Sequence, residues 1–338
     1  MKESAEVLFK LIRIALGNES CGSLPLSVDW REVIDLSFEQ GVAAIAVDGL
    51  QRIYDEIADH VRNDALEQLD SPSLEDLKYE WFGEVMNAEQ EYGIRVALVE
   101  QLRGLGFPLK VLKGVEFAGY YPIAAHRNSG DIDVYCPGGA FEALNKAVEA
   151  RGIGVDRRIR LHSQFSVDGV LVENHRYLVD DERMNAELLE VMAEDEALFD
   201  ALFCLLHARK HFLTEGGIQL RHVCDWAMIR QKATMGDAVE RFGLGKFCRP
   251  LDEVADLLLG QKTQEQLSTV ARRMLEDIFA FGSDCADAKP AAPKSMFRRR
   301  LAMASGILRS GWKFRMYNDV PMLPYLLRSV WRHFTVKN

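Results

Sequence analysis

The chain has 338 residues, of which 48% are hydrophobic and 27% are charged. At about 100–200 residues per domain, this length predicts about two domains with a sizeable buried core. The composition excludes an intrinsically disordered chain and a small disulfide-stapled scaffold. Six cysteines without a C-x-x-C pair favour a reduced, cytoplasmic setting. We expect neither a signal peptide nor a transmembrane helix, because charged residues interrupt the apolar runs.

Charge is distributed unevenly around a net value of -10. From Lys294 onward, ten Lys or Arg face a single acid, Asp319, so this tail carries +9 and the preceding part carries -19. Because an acidic body repels a nucleic-acid backbone, we expect no nucleic-acid partner for it. The tail mixes basic and aromatic residues, a pattern that suits contact with anionic lipid or RNA. The alternative is a helical extension that folds back on the acidic body.

The first part of the chain, residues 1–104, has helical periodicity and predicts an N-terminal helical region in which 74–104 forms one long helix. From residue 105 the pattern changes to strands. Residues 108–112 predict a short buried strand, and Lys113-Gly114 predicts a turn after it. Residues 128–130 predict a second turn. It leads into the alternating run 131–135, which predicts a strand with two aspartates on one face.

The pattern then predicts a helix around 141–148 and two further strands, 158–167 and 170–179. Asp168-Gly169 between these strands is a strong hairpin signal. The order strand, strand, helix, strand, strand predicts a small mixed sheet over 105–180, within an α+β fold. Helical patterns return over 181–283, and a proline-containing linker leads into a basic helical tail over 284–338.

Asp131 and Asp133 form a D-x-D pair that indicates a metal site. On a strand, the two side chains lie on one face, roughly 6.6–7 Å apart along the backbone. Carboxylate oxygens suit Mg²⁺, whose remaining positions are filled by phosphates and water. The Lys113-Gly114 turn offers an ammonium and backbone amides to phosphates, and Glu173 on a later strand offers a third carboxylate. The alternative is a pair of solvated acids on a strand edge.

Several short motifs occur in order along this part of the chain. They are Leu112-Lys113-Gly114 (L-K-G), Tyr121-Pro122 (Y-P), Arg127 followed by Asp131-Ile132-Asp133 (R-x-x-x-D-I-D), and Glu173-Asn174-His175 (E-x-H). Together they resemble the uncharacterised nucleotidyltransferase family, a branch of the polymerase-β superfamily. The motifs cover residues 107–178. The resemblance implies a polymerase-β-like core with a small mixed sheet, flanked by N- and C-terminal helical regions.

The resemblance also implies a set of site residues. The implied catalytic residues and metal ligands are Asp131, Asp133 and Glu173. The residues expected to bind the nucleotide are Lys113, Gly114, Arg127, Ser129 and Gly130. The implied cofactor is Mg²⁺ or Mn²⁺, with an NTP such as ATP as co-substrate. Two departures from the family pattern concern the phosphate and acceptor pockets: the glycine turn lacks the usual serine, and Arg176 stands where an aromatic residue often follows the histidine.

Other polar residues have two interpretations each. Arg127 either pairs with Asp131 and holds the loop or contacts phosphate. His175 shares a strand face with Glu173, so it either supports that carboxylate or is a hydrogen-bonded sheet histidine. The i, i+4 pair His207 and His211, joined by Asp225, either binds a transition metal or serves a structural role or a contact with the acceptor.

These observations leave three functional hypotheses. The first is a metal-dependent nucleotidyltransferase that moves a nucleoside monophosphate from an NTP to a hydroxyl of a small molecule or protein acceptor. The second is a catalytically inactive nucleotide-binding or scaffolding protein with the same fold. The third is a helical interaction protein whose D-x-D pair lies on a solvated strand edge.

Overall fold

A computed structural model describes residues 2–20, 24–57, 64–137, 139–286, 311–319 and 322–323. The chain divides into two compact units, residues 1–201 with 228–233 and residues 202–227 with 234–338. Over the described residues, fourteen α-helices accompany one four-stranded sheet. The α+β class and the small mixed sheet are therefore confirmed. The finer division at residues 104, 180 and 283 stays a prediction.

The first unit begins with a helical region. The helices that lie wholly within this unit are α1 (Glu3–Ala15), α2 (Trp30–Glu39), α3 (Ala43–Ile57), α4 (Asp64–Leu69), α5 (Glu75–Arg103), α6 (Val115–Ala118), α7 (Phe141–Glu149) and α8 (Glu182–Glu194). Short 3-10 turns occur at Pro72–Leu74 and Ala124–His126. The long helix predicted over 74–104 is confirmed to within one residue at each end, and it delivers the chain to the sheet.

The sheet consists of β1 (Lys110–Val111), β2 (Ile132–Tyr135), β3 (His162–Val167) and β4 (Val170–His175). Its strand order is β1-β2-β4-β3, in which β2 and β4 are the central strands and run parallel to each other. Both outer pairings are antiparallel. The predicted sequence of elements is confirmed, but the strands are shorter than predicted. Before β3, for example, the Asp156 carboxylate accepts hydrogen bonds from Arg158 and bends the chain locally.

The β3–β4 hairpin turns at Asp168-Gly169, as predicted. Both residues have positive φ, 49° and 84°, and Val167 pairs with Val170. A two-residue turn with positive φ at both positions has the twist that antiparallel strands require. The turn therefore fixes the register of β3 against β4.

One face of the sheet packs against α5 and α7 and forms a hydrophobic core with them. The buried members of this core are Leu98, Val99, Leu102, Val111, Ile132, Val134, Cys136, Leu144, Val148, Phe165, Val170 and Val172. Because side chains alternate along a strand, the neighbours of these residues in β2 and β4 lie on the opposite face. The core thereby determines which side chains face the site.

A buried polar network joins α7 to the core face of the sheet. Asn145 accepts hydrogen bonds from Ser163 at 2.7 Å and from Asn174 at 3.0 Å, and Asn174 also donates to the Phe141 carbonyl at 3.0 Å. All of the side chains involved are buried. Removing one partner from such a network leaves a buried polar group unpaired, at a cost of roughly 1–3 kcal/mol, so the network fixes α7 on the sheet.

The second unit is helical, and α9 and α10 contribute residues to both units. The remaining bounds are α9 (Glu196–Thr214), α10 (Leu220–Ile229), α11 (Ala238–Arg241), α12 (Gly245–Leu258), α13 (Thr269–Ala286) and α14 (Gly311–Tyr317), with a 3-10 turn at Gln264–Gln266. None of the helices in the described ranges combines the length and apolar character that crossing a membrane requires.

Part of the basic tail is packed within the second unit. Lys313 of α14 is buried, donates to the Gly216 carbonyl at 2.6 Å and to the Asp277 carboxylate at 2.5 Å, and lies over the Phe212 ring. This segment of the tail therefore packs against other residues of the second unit, as expected for a helical extension that folds back. Residues 287–310 and 324–338, which carry most of the predicted polyanion-binding pattern, lie outside the described residues.

Helices α1 and α3 pack so closely that a glycine is required between them. A Cβ at Gly49 would lie 2.0 Å from the Leu11 carbonyl oxygen and 2.7 Å from its carbon. Helix α3 in turn packs against α5, the helix that leads to the sheet. The close approach at Gly49 is thus part of the support on which the site is built.

We expect Gly49→Ala to lower the free energy of unfolding by about 1–3 kcal/mol, because the added methyl collides with backbone that must shift. The matched control is Gly93→Ala in α5, where a Cβ meets nothing within 4 Å. This control should raise the free energy of unfolding by about 0.5–1 kcal/mol, since alanine restricts the unfolded chain. Urea denaturation measures both, and effects of the same sign would contradict the packing described.

Candidate metal centre

Three carboxylates converge on the face of the sheet opposite the core. Asp133 of β2 pairs in register with Glu173 of β4, so their side chains lie side by side. Asp131 lies one residue before β2, which begins at Ile132 rather than at the predicted Asp131. Carboxylate oxygens of all three acids nevertheless lie within 4.8 Å of one another.

The D-x-D pair does not lie on a solvated strand edge. Strand β2 is flanked by β1 and β4, and Asp133 is only 1% exposed. The third functional hypothesis required exposed acids on an edge strand, and this premise is wrong. Burying a carboxylate is costly unless it is paired, so the surroundings of Asp133 must supply positive charge or hydrogen-bond donors.

Positive charge reaches Asp133 from two sides. The Lys113 Nζ lies 2.9 Å from Oδ2, and the His175 Nε2 lies 3.0 Å from Oδ1. Burial opposes ionisation, but these two neighbours outweigh it and lower the pKa of Asp133 to about 2. Among the described residues, Oδ2 is a buried atom whose contact with the Lys113 ammonium is an ion pair at 2.9 Å without hydrogen-bond geometry. This oxygen can accept a further cation.

The other two acids differ from Asp133 in their electrostatics. Burial and the nearby Asp133 charge raise the pKa of Asp131. Burial also opposes ionisation of Glu173, but the His175 and His162 rings outweigh it and lower the pKa of that carboxyl. Three carboxylates in so small a volume repel one another, and a divalent cation among them would remove that repulsion.

His175 lies closer to Asp133 than to Glu173. Its Nε2 is 3.0 Å from Asp133 Oδ1 and 3.7 Å from Glu173 Oε2, and its Nδ1 is 3.3 Å from the Tyr177 carbonyl. Burial lowers the pKa of the ring, but the two carboxylates outweigh burial and raise it. The sequence placed His175 beside Glu173 through their shared strand face. Its stronger contact, with Asp133, depends on the pairing of β2 with β4.

Strand β3 contributes two residues that the sequence analysis missed. Gln164 donates a hydrogen bond of 2.6 Å to Glu173 Oε1, and the His162 Nε2 lies 3.3 Å from the same oxygen. The Asp168-Gly169 turn is the feature of the sequence from which both residues could have been identified. With a two-residue loop, Val167 pairs with Val170, and counting back along both strands sets Gln164 opposite Glu173 and His162 opposite His175.

The Lys113-Gly114 turn lies directly beside the acidic group. Gly114 has φ 60°, a conformation that favours glycine, and a Cβ there would lie 3.4 Å from the Asp131 carbonyl oxygen. The Leu112 amide donates to the Asp133 carbonyl at 2.9 Å, which extends the β1–β2 pairing to the start of the turn. The pairing places the Lys113 side chain against Asp133.

The loop before Asp131 is held by two arginines. Arg127 donates to the Gly114 carbonyl at 3.2 Å and to the Ser129 hydroxyl at 3.0 Å. Arg95 of α5, which the sequence analysis missed, is buried and donates to the Gly130 carbonyl at 2.7 Å. Arg95 also pairs with Glu91. The turn predicted at residues 128–130 is wrong, because this segment is irregular and is held by arginine side chains instead of turn hydrogen bonds.

A second ionic cluster surrounds the buried Asp200 carboxylate. Lys110 of β1 lies 2.6 Å from Glu196, 3.1 Å from Glu116 and 3.7 Å from Asp200. Tyr120 donates to Asp200 at 2.8 Å. Burial raises the pKa of Asp200 to about 6, and Lys110 and Tyr120 offset burial only in part. The cluster joins α6, and hence the end of the glycine turn, to the start of α9.

The described residues contain two groups that could hold a metal ion. One is Asp131 with Asp133 and Glu173, and the other is His162 with Glu173 and His175. His207, His211 and Asp225 belong to neither group. Instead, the His211 Nδ1 lies 2.8 Å from Glu215 and its ring lies 4.3 Å from that of His207.

Comparison with known families identifies the family of this chain. A model of the family described as uncharacterised nucleotidyltransferase matches residues 27–242, which is more than half of the chain and includes the whole sheet and both candidate metal groups. Comparison with curated proteins and with solved structures finds no match.

We expect Arg95→Met to lower the free energy of unfolding by about 1–3 kcal/mol, because it removes the hydrogen bond that the buried Arg95 guanidinium donates to the Gly130 carbonyl. The amide of Asp131 should also exchange faster with solvent. The matched control is Arg103→Met in the same helix, where the arginine is exposed and pairs with Glu100. That change should stay within about 0.5 kcal/mol. Equal losses in the two variants, measured by urea denaturation, would rule out the role assigned to Arg95.

We expect Asp200→Asn to gain stability relative to wild type as the pH rises from 4 to 7.5. The pKa of Asp200 is raised to about 6 in the folded chain, whereas an unfolded aspartate titrates near ~3.9. Wild type therefore loses stability as pH rises through this window, and the neutral variant does not. The relative gain should be about 2–3 kcal/mol by urea denaturation, at about 1.36 kcal/mol per pKa unit. A pH-independent difference for Asp200→Asn would contradict the assignment.

Proposed function

Since the chain belongs to the uncharacterised nucleotidyltransferase family, we propose that it transfers a nucleoside monophosphate from an NTP to a hydroxyl of a small-molecule or protein acceptor. The observation that carries this proposal is the convergence of Asp131, Asp133 and Glu173, with carboxylate oxygens within 4.8 Å of one another. In the reaction, the acceptor oxygen bonds to the α-phosphorus, the bond from that phosphorus to the bridging oxygen breaks, and pyrophosphate leaves. The proton of the acceptor hydroxyl passes to solvent water.

The donor set fits a hard divalent cation. Carboxylate oxygens are the ligands that Mg²⁺ and Mn²⁺ prefer, and the buried Oδ2 of Asp133 has room for a partner in its hydrogen-bonding shell. Asp131, Asp133 and Glu173 would hold the ion. When bound, such a cation supplies charge neutralisation for the phosphates and a lower pKa for the attacking hydroxyl.

The residues around the acids have complementary roles in this proposal. Lys113 neutralises Asp133 in the free protein and is the cation best placed to pair with a phosphate. Gly114 keeps the turn beside Asp131 free of a side chain, so that a phosphate can approach the backbone. Arg127, Ser129 and Gly130, in the loop that Arg127 ties to the glycine turn, are the other residues that we propose to contact the nucleotide. Glu173, held by Gln164 and His162, orients the acceptor hydroxyl.

A catalytically inactive nucleotide-binding or scaffolding protein is the second candidate. One observation favours it: Lys113 and His175 both lie against Asp133 and neutralise its charge. A group that is satisfied in this way has less need of a cation. The two candidates agree on nucleotide binding and differ in turnover.

We expect Mg²⁺ and an NTP together to stabilise the protein against thermal unfolding, by about 2.7 kcal/mol when the NTP is at a hundred times its Kd. Asp131→Asn should abolish this gain, because it removes one carboxylate while leaving the Asp133 pairs intact. Asp168→Asn makes the same charge change in the hairpin turn and should leave the gain unchanged. Chelation of the metal should abolish the gain in every protein tested.

Turnover separates the two candidates. A transferase releases pyrophosphate from the NTP in the presence of Mg²⁺ or Mn²⁺ and a pool of hydroxyl-bearing metabolites and proteins, and Asp131→Asn does not. Binding without pyrophosphate release from any pool supports the inactive protein. If Mg²⁺ and each NTP fail to stabilise the wild-type chain, both candidates are wrong.

A further inference from the structure

A second set of metal-ligating side chains adjoins the three carboxylates. His162 of β3 lies directly opposite His175 of β4, with ring centroids 5.1 Å apart, and Glu173 is two residues before His175 on the same face. One ligand atom from each of the three residues lies within 4.8 Å of the others. The side chains are only 11%, 15% and 10% exposed, in the order His162, Glu173 and His175.

The spacing of these atoms suits a single small cation. The His162 Nε2 lies 3.3 Å from Glu173 Oε1, and the His175 Nε2 lies 3.7 Å from Oε2. Bonds of about 2.0–2.2 Å at a tetrahedral angle put neighbouring ligand atoms roughly 3.3–3.5 Å apart. The two nitrogen–oxygen separations, each to a different oxygen of Glu173, are close to these values, and one ligand atom from each of the three residues lies within 4.8 Å of the others.

The type of ligand distinguishes this group from the three carboxylates. Two imidazole nitrogens and one carboxylate oxygen favour ions such as Zn²⁺ and Co²⁺, whereas three carboxylates favour Mg²⁺ or Mn²⁺. Glu173 belongs to both groups. A carboxylate with two oxygens can serve two neighbouring ions or be drawn from one to the other.

The surroundings of His175 also suit a metal ligand. The Tyr177 carbonyl, 3.3 Å from Nδ1, can only accept, so Nδ1 carries the hydrogen. Nε2, on the other side of the ring, faces the carboxylates of Asp133 and Glu173. A histidine that donates its other N–H to a carbonyl is the usual arrangement of a metal ligand.

We propose that His162, Glu173 and His175 bind a transition-metal ion of the Zn²⁺ or Co²⁺ class, at a site distinct from the three-carboxylate group and sharing Glu173 with it. This site does not depend on the nucleotidyl transfer proposed above. Because Glu173 is shared, the transition metal competes with Mg²⁺ for this carboxylate and weakens Mg²⁺-dependent nucleotide binding.

The test uses Co²⁺ as the probe on the full chain without an affinity tag. Isothermal titration should show one ion bound by wild type, and visible absorption should show the bands of a four- or five-coordinate site. His162→Gln should weaken Co²⁺ binding by more than roughly tenfold, since even losing a residue that only supports a ligand costs about 10–100-fold. His126→Gln removes another buried histidine of the same unit and should bind Co²⁺ as wild type does.

The neighbouring carboxylate group provides the decisive comparison. Asp131→Asn should retain Co²⁺ binding, because Asp131 is not in the histidine group. X-ray absorption of the wild-type cobalt complex should show two imidazole ligands, a readout that does not depend on whether any variant folds. A shell without imidazole overturns the proposal, as does unchanged Co²⁺ affinity in folded His162→Gln. Co²⁺ binding that leaves Mg²⁺-dependent nucleotide binding unchanged would contradict the competition for Glu173, whereas failure of Mg²⁺ and every NTP to stabilise the wild-type chain would contradict only the proposed function.

Discussion

The parallel pairing of β2 with β4 is the constraint on which the rest of the site depends. It sets Asp133 beside Glu173, although the two residues are separated by a helix and a hairpin in the chain. A shift of one residue in this register would turn Glu173 toward the core and Asn174 toward the acids. The core opposes such a shift, because Val172 packs with Ile132 and Asn174 is hydrogen bonded to α7.

The two faces of this sheet perform different tasks. The face toward α5 and α7 is apolar apart from the network around Asn145, and it supplies the stability that holds the strands in register. The other face concentrates negative charge that would be unfavourable without compensation. Lys113 and His175 provide that compensation for Asp133, and Gln164 with His162 provides it for Glu173.

The residues that support the site come from elements far apart in sequence. Arg95 of α5 holds the loop before Asp131, and Arg127 joins this loop to the glycine turn. The close contact at Gly49 joins α1 to α3, which in turn packs against α5. The position of Asp131, which lies outside the strand, therefore depends on this framework more than the position of Asp133, which the sheet itself determines.

Local features could be predicted from the sequence because their causes are local. The alternation around Asp133, the positive-φ turn at Asp168-Gly169 and the glycine at position 114 each follow from backbone geometry over a few residues. The hairpin register follows from the same turn, and it pairs His162 with His175 and Gln164 with Glu173. The shorter strands and the irregular segment before Asp131 could not be predicted, since side chains from distant elements set their ends.

The sequence by itself determined the kind of fold, the succession of strands and helix along the chain, and the three acids. It could do so because periodicity, turn residues and ordered motifs are properties of short segments. What only the tertiary structure decided was which strands are central, which cation faces Asp133, and that His175 lies between two carboxylates. Those facts depend on pairing between β2 and β4, a contact between residues about forty positions apart. A single sequence does not encode such a contact in any local pattern, because it arises when the whole core packs.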